Sequence, residues 1–310
     1  MKKFIQKVVL FIVPFVLIVM VAALLPTTPR ASGSLLMSSI KKDSLLRNTP
    51  SPRIIFVGGS NLSFGLNSQT IKDSLQFNPI NTAIHASIGI KFMMTNTLEY
   101  VQKGDIVVLV PEYEHFYRSL DFGSEELMRT IFDLDIKHLK HININQFINL
   151  MPFLPKYSLT KFNINEYRDI KESDIYSVNS FNKYGDTYTH WVKQQEEFAP
   201  FKNEHREFNY EVIRYFEEYN SAIQKNGALL LVSFPCFQET SFRNSVNQIL
   251  KVEQEFEKSK LKIIGSAERY KMADSLMFNT PYHLNKNGVD YRTMMIIEDI
   301  KKARTLVVYK

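Results

Sequence analysis

Cysteine is almost absent from this chain: Cys236 is the only one in 310 residues. That excludes an internal disulfide and any metal site built from several thiolates. It leaves the compartment open, because many exported proteins carry no disulfide. The seven histidines form no H-E-x-x-H or comparable cluster, so neither metal chemistry nor a cofactor is expected. Neither G-x-G-x-x-G nor G-x-x-x-x-G-K occurs, which removes the dinucleotide fingerprint and the phosphate loop. No repeat or low-complexity tract is evident. Basic residues outnumber acidic ones, 38 to 32, for a net charge of +6. They are densest at Lys137, His138, Lys140 and His141, and again at Lys301, Lys302 and Arg304. A nucleic-acid protein shows a longer basic stripe within a recognised module, so nucleic acid is not an expected partner. Such a surface can attract anionic glycan or lipid, and a merely solvated lysine-rich face accounts for it equally.

What the chain does have begins with an uncharged apolar run over 8–25, eighteen residues interrupted only by Pro14. At the α-helical rise it spans about 27 Å, close to the hydrocarbon thickness of a bilayer. Lys2, Lys3 and Lys7 precede it, which favours a cytoplasmic N-terminus with the main domain exported. A cleaved signal peptide is the alternative, with Ala22-Ala23 near the cleavage site; the length of the run favours an anchor. The expected organisation is a cytoplasmic stub and transmembrane anchor over 1–30, a linker over 31–52, and one domain over 53–310. With 45% hydrophobic and 23% charged residues, that domain is an ordinary globular one.

Within it, apolar, β-branched segments alternate with helical ones. Strands are expected over 53–57, 79–83, 105–110, 228–234 and 262–264. Helices are expected over 68–75 with Asn67 as N-cap, and over 90–101, 208–225, 246–258 and 288–302; a short helix is expected over 34–47. The continuous apolar character of Asp105-Ile106-Val107-Val108-Leu109-Val110 points to a strand covered on both faces. The expected fold class is α/β, a three-layer doubly wound parallel sheet. The stretch 117–206 breaks the alternation and holds Trp191, the sole tryptophan, with many Tyr, Phe, Asn and Lys. It reads as an aromatic-rich insertion, either stacking sugar rings or forming a small satellite core.

Two places carry chemistry. After the first strand comes Gly58-Gly59-Ser60-Asn61, where glycines let the backbone turn sharply and present the serine hydroxyl. Leu62 stands where the G-x-S-x-G elbow has its last glycine. Near the other end stands Thr280-Pro281-Tyr282-His283-Leu284-Asn285, just before the last helix. Serine needs a base to become a nucleophile, and His283 is the best placed of the histidines to act as one. The plainer reading of Ser60 is an N-capping serine on a glycine-rich turn. His138, His141 and His205 lie in charged stretches and are expected to be solvated. His85 and His115 follow strands and either line the same pocket or are buried structurally; His190, near Asp186, suits a local hydrogen bond.

These residues resemble the SGNH/GDSL hydrolase family, especially its membrane-anchored branch of polysaccharide O-acyl esterases, acyltransferases and teichoic-acid D-alanyl transfer proteins. The run 54–61 looks like the first block, with Gly59 where many members carry Asp. Asn81-Thr82-Ala83-Ile84-His85-Ala86-Ser87-Ile88-Gly89 looks like the second, and 279–283 like the fifth. The resemblance spans about 53–116 and 228–302. It implies Ser60 as nucleophile, His283 as base, and a backbone N–H near Gly89 as oxyanion donor. Two positions depart from it. Pro111-Glu112-Tyr113-Glu114 stands where the third block supplies an oxyanion Asn, and Thr280 stands where the fifth block has its Asp. Asn279 and Asp274 are the nearest candidates for the missing acid, and restoring aspartate at position 280 is expected to raise activity. Asn61 and Glu112 are candidate substrate contacts, Glu112 being equally credible as a structural carboxylate. The implied function is a membrane-anchored serine O-acyl esterase or acyltransferase on surface polysaccharide, working beside a membrane-bound acyltransferase. The alternative is a non-catalytic glycan-binding or assembly subunit of the same fold.

Overall fold

A computed structural model of the chain describes residues 1–308 apart from Asp169, Glu172 and 203–205, with side chains described as far as Thr305. The expectation for His205 therefore lies outside the described residues. Among the described residues seven strands form in chain order: β1 Arg53–Gly58, β2 Asn78–Asn81, β3 Ile106–Val110, β4 Leu229–Ser233, β5 Phe237–Gln238, β6 Ile263–Ile264 and β7 Lys271–Met272. Five make a parallel sheet in the order β2-β1-β3-β4-β6, as expected for an α/β chain. The short parallel pair β5 and β7 was not legible, because two residues are too few to show a period.

Every residue of β1 and β3 is buried, which is why both read as unbroken apolar runs rather than alternating ones. The helices Ser68–Leu75 and Val246–Lys258 fall where the sequence places them, the first capped by Asn67 accepting from the Thr70 N–H. The last helix runs Lys286–Val308, longer at both ends than expected. Strand order reverses around β1, since β2 lies on one side and β3 on the other. In open α/β sheets such a reversal leaves a crevice at the strands' carboxyl ends. Register sharpens this: Gly58 pairs with Val110, so the Gly59-Ser60 turn opens beside Pro111-Glu112.

The segment 31–52 is no linker. Its helix Ser38–Asn48 packs onto the sheet, burying Lys42, Asp43 and Leu46. Arg53, fully buried, ties this helix to both central strands. It donates to the Leu46 carbonyl at 2.7 Å, the Tyr100 carbonyl at 2.7 Å, and Asp105 at 2.9 and 2.5 Å. Removing one partner of a buried ion pair leaves the other charge uncompensated, at a cost of roughly 3–5 kcal/mol. Arg53→Met is therefore expected to lower the thermal midpoint sharply, and an unchanged melting curve would show that Asp105 is not held as described.

His138 and His141 are buried rather than solvated. Their rings pack edge-on against Phe92, and their Nε2 atoms approach Asp43 and Glu99 at 3.9 and 3.2 Å. A charged sequence neighbourhood did not reveal this, because the acidic partners come from distant helices. The helix Lys2–Ala23 stands largely exposed and is long and apolar enough to cross a membrane.

Candidate active site

Ser60 opens the four-residue helix Ser60–Ser63 immediately after β1 and Gly59. A Cβ on Gly59 would lie 2.6 Å from Glu112 Oε1 and 2.8 Å from the Ala86 Cβ, so the aspartate common in the family pattern has no room here. The next residue, Asn61, is fully buried and suspended between opposite charges. Its backbone N–H and its Nδ2 donate to Glu112 Oε1 at 3.1 and 3.2 Å. Its carbonyl and Oδ1 accept from the buried guanidinium of Arg292, the latter at 3.1 Å. A carboxylate can only accept and a guanidinium only donate, so the amide has one permitted orientation. This clamp holds the turn that carries Ser60, and Asn61, expected as a substrate contact, is itself fully buried.

Burial pushes the Glu112 carboxyl up to about 7, against the bonds from Asn61 and the smaller pull of the nearby Ser60 hydroxyl. His115 closes the same turn: its Nδ1 accepts from the Glu112 N–H at 2.9 Å, and burial lowers it to about 4. Sequence could not find Arg292, which sits nearly two turns inside the last helix with no motif to mark it.

The loop carrying His283 is stitched to the ends of both central strands. The Leu284 N–H bonds the Phe64 carbonyl at 3.4 Å, and the Tyr113 N–H donates to the Tyr282 hydroxyl at 3.2 Å. The His283 ring stacks on Phe64, centroids 4.1 Å apart and planes 7° from parallel. Its Nδ1 lies 2.9 Å from Asn279 Oδ1. Asn279 Nδ2 in turn donates to the Tyr176 hydroxyl at 2.8 Å and to Glu196 Oε2 at 3.2 Å. Because that carboxylate accepts only, Asn279 must present its oxygen to the imidazole. His283 is then protonated on Nδ1, and Nε2 keeps its lone pair. Burial, helped by His190 and His85, lowers His283 to about 3, so the ring is neutral at ordinary pH.

Ser60 and His283 line one cleft of about 370 Å³, together with His85, Glu112, Tyr176 and Thr280. Among the described residues no hydrogen bond joins the serine to the histidine, whose ring bonds Asn279. Other candidates are engaged in contacts of their own. Asp274 is exposed, and its carboxylate accepts from the Thr240 N–H at 3.1 Å and hydroxyl at 2.6 Å. Thr280 caps its own loop, accepting from the Tyr282 and His283 N–H groups at 3.2 and 3.1 Å. Gly89 has φ +94° and a Cβ there would meet the Phe122 carbonyl oxygen at 2.2 Å, so glycine is required. Its N–H, however, bonds the Ala86 carbonyl at 3.0 Å and is not offered to the cleft. That leaves the Ser60 N–H, which as the first of its helix has no intrahelical acceptor. His85 lines the cleft with Nδ1 accepting from the Ser87 N–H at 3.2 Å, which places its proton on Nε2.

No family model, curated protein or solved structure matches this chain.

Proposed function

We propose that the chain is a serine-dependent O-acyl esterase or acyltransferase of SGNH type, anchored by its N-terminal helix with the domain exported. One observation carries the reading: His283, neutral and oriented by Asn279, shares a cleft with Ser60 on the turn after the first strand. The doubly wound architecture and the aromatic-rich segment over 117–206 belong to the same proposal, as does a surface polysaccharide substrate with a membrane-bound acyltransferase as partner. In the reaction, His283 Nε2 takes the hydroxyl proton as Ser60 Oγ attacks the ester carbonyl carbon. The Ser60 N–H and the Nε2 proton of His85 face the charge that develops on the carbonyl oxygen. The same proton passes to the departing alkoxide, leaving an acyl-serine. Water or a glycan hydroxyl then attacks the acyl carbon and releases Ser60.

A second reading has its own support. Among the described residues no hydrogen bond joins Ser60 to His283, and no carboxylate touches the imidazole. Those features suit a glycan-binding subunit that keeps the fold without the chemistry. A fluorophosphonate probe separates the two, since it needs an activated serine. The expected result is labelling of the full chain that disappears in Ser60→Ala and falls steeply in His283→Ala. Equal labelling of all three would remove the esterase reading, and no labelling of any would favour the binding subunit.

A further inference from the structure

The body of the protein does not hang from its apolar helix; it grips it. Val19, Ala22 and Ala23 are buried although most of the helix Lys2–Ala23 is exposed. They pack on the helix Leu154–Thr160, where the Ser158 hydroxyl donates to the Val19 carbonyl at 2.8 Å. The grip continues past the helix end. Lys161 Nζ reaches the Pro26 carbonyl at 3.3 Å and Asp133 at 2.5 Å, and the Thr27 hydroxyl donates to the Asp133 carbonyl at 2.5 Å. The Thr28 hydroxyl donates to Glu166 at 2.8 Å.

Depth follows from where the grip lies. Val19 lies about 9 Å inside the end of the apolar run 8–25, so a body packed beside it reaches the hydrocarbon–headgroup boundary if that run crosses a bilayer. The gripping segment is also where apolar side chains are left uncovered. Ile144, Ile148, Leu159, Phe162 and Ile164 are each more than half exposed, and all lie between the helix Ile144–Leu150 and the turn Ile164–Glu166. Leu159 adjoins the residue bonded to Val19, and Phe162 adjoins Lys161. Scattered exposed apolar residues are ordinary, but a succession of them along the segment whose helix holds Val19 marks an interaction surface.

We infer that the surface formed by 144–167 lies in the interface of the bilayer, so that the domain is seated on the lipid around its own anchor rather than swinging on a tether. The inference rests on reading the N-terminal helix as a membrane span and adds the second contact. Two such signals, a span and an apolar flank, hold the domain in one orientation toward the lipid surface.

Site-specific labelling tests it on the full chain in nanodiscs of phosphatidylcholine and phosphatidylglycerol doped with doxyl lipids. Cys236 is buried and its thiol is pushed up to about 12, so it contributes little background. An environment-sensitive fluorophore is placed at Ile148→Cys, Phe162→Cys, Ile12→Cys within the helix, and Val246→Cys on a distant helix. The expected result is strong quenching at the first three and emission retained at the fourth. Quenching at Ile12→Cys alone, with Ile148→Cys and Phe162→Cys as bright as Val246→Cys, would overturn the seated surface while leaving the span intact. Retained emission at Ile12→Cys would remove the span, and the seated surface with it.

Discussion

Asn279→Asp is expected to raise ester turnover, by up to about four orders of magnitude, the factor lost by the reverse change in Ser-His-Asp proteases. Asn279 occupies the acid's place at 2.9 Å from His283 Nδ1. Its amide oxygen selects the right tautomer, yet it cannot stabilise the imidazolium that forms when Nε2 takes the serine proton. A carboxylate does both. Glu196 limits the gain in the single variant, because its carboxylate would then face another across the 3.2 Å that Asn279 Nδ2 now bridges. Like charges that close raise one another's proton affinity. Asn279→Asp combined with Glu196→Gln restores a donor at that position and is expected to be the fastest. Thr280→Asp, suggested by the family spacing, is expected to slow the reaction, since it disturbs the cap that shapes the His283 loop. The check is kcat for a small acetyl ester; a faster Thr280→Asp with an inert Asn279→Asp would mean the loop is arranged otherwise.

Turnover by the natural sequence is expected to rise as pH falls from 8 to 6, opposite to ordinary serine hydrolases. His283 stays neutral through this range because burial holds it near 3. The group that titrates is Glu112, raised to about 7 by burial. Ionised, it draws the Ser60 hydroxyl proton away from His283. Protonated, it donates to Ser60 Oγ instead, and the hydroxyl proton turns to the histidine. Glu112→Gln imitates the protonated form and is expected to give a rate independent of pH between 6 and 8. If turnover instead rises through pH 7 and is lost in Glu112→Gln, Glu112 itself is the base.

Stability should follow the same carboxyl. Its folded pKa is raised from the ordinary 4.5, so the native state holds the proton more tightly than the unfolded chain between 4.5 and about 7. The resulting stability is present below 4.5 and lost as pH rises through 7. At about 1.4 kcal/mol per unit, Glu112→Gln is expected to gain up to about 3 kcal/mol at pH 8 and nothing at pH 4.5. Urea titrations at the two pH values measure that difference.

How much of this could be read beforehand depends on the range over which each signal acts. The apolar runs of β1, β3 and β4, the Asn67 cap and the membrane-length helix are legible because each is written in consecutive residues. The local conformation of the turn at Ser60 was legible too, since the glycines before it shape a short stretch of backbone. What tertiary structure alone decided is every contact between them. Register of β1 on β3 brings Glu112 to Asn61, and the last helix brings Arg292 to the same amide, 231 residues along the chain. Folding spends Asp274 on Thr240 and the Gly89 N–H on Ala86, removing two candidates that spacing had left open. It also presents Asn279, four residues from His283, to the ring. Covalent neighbours fix backbone conformation through steric limits on φ and ψ, whereas burial, charge pairing and hydrogen-bond direction depend on groups that meet only when the chain is packed.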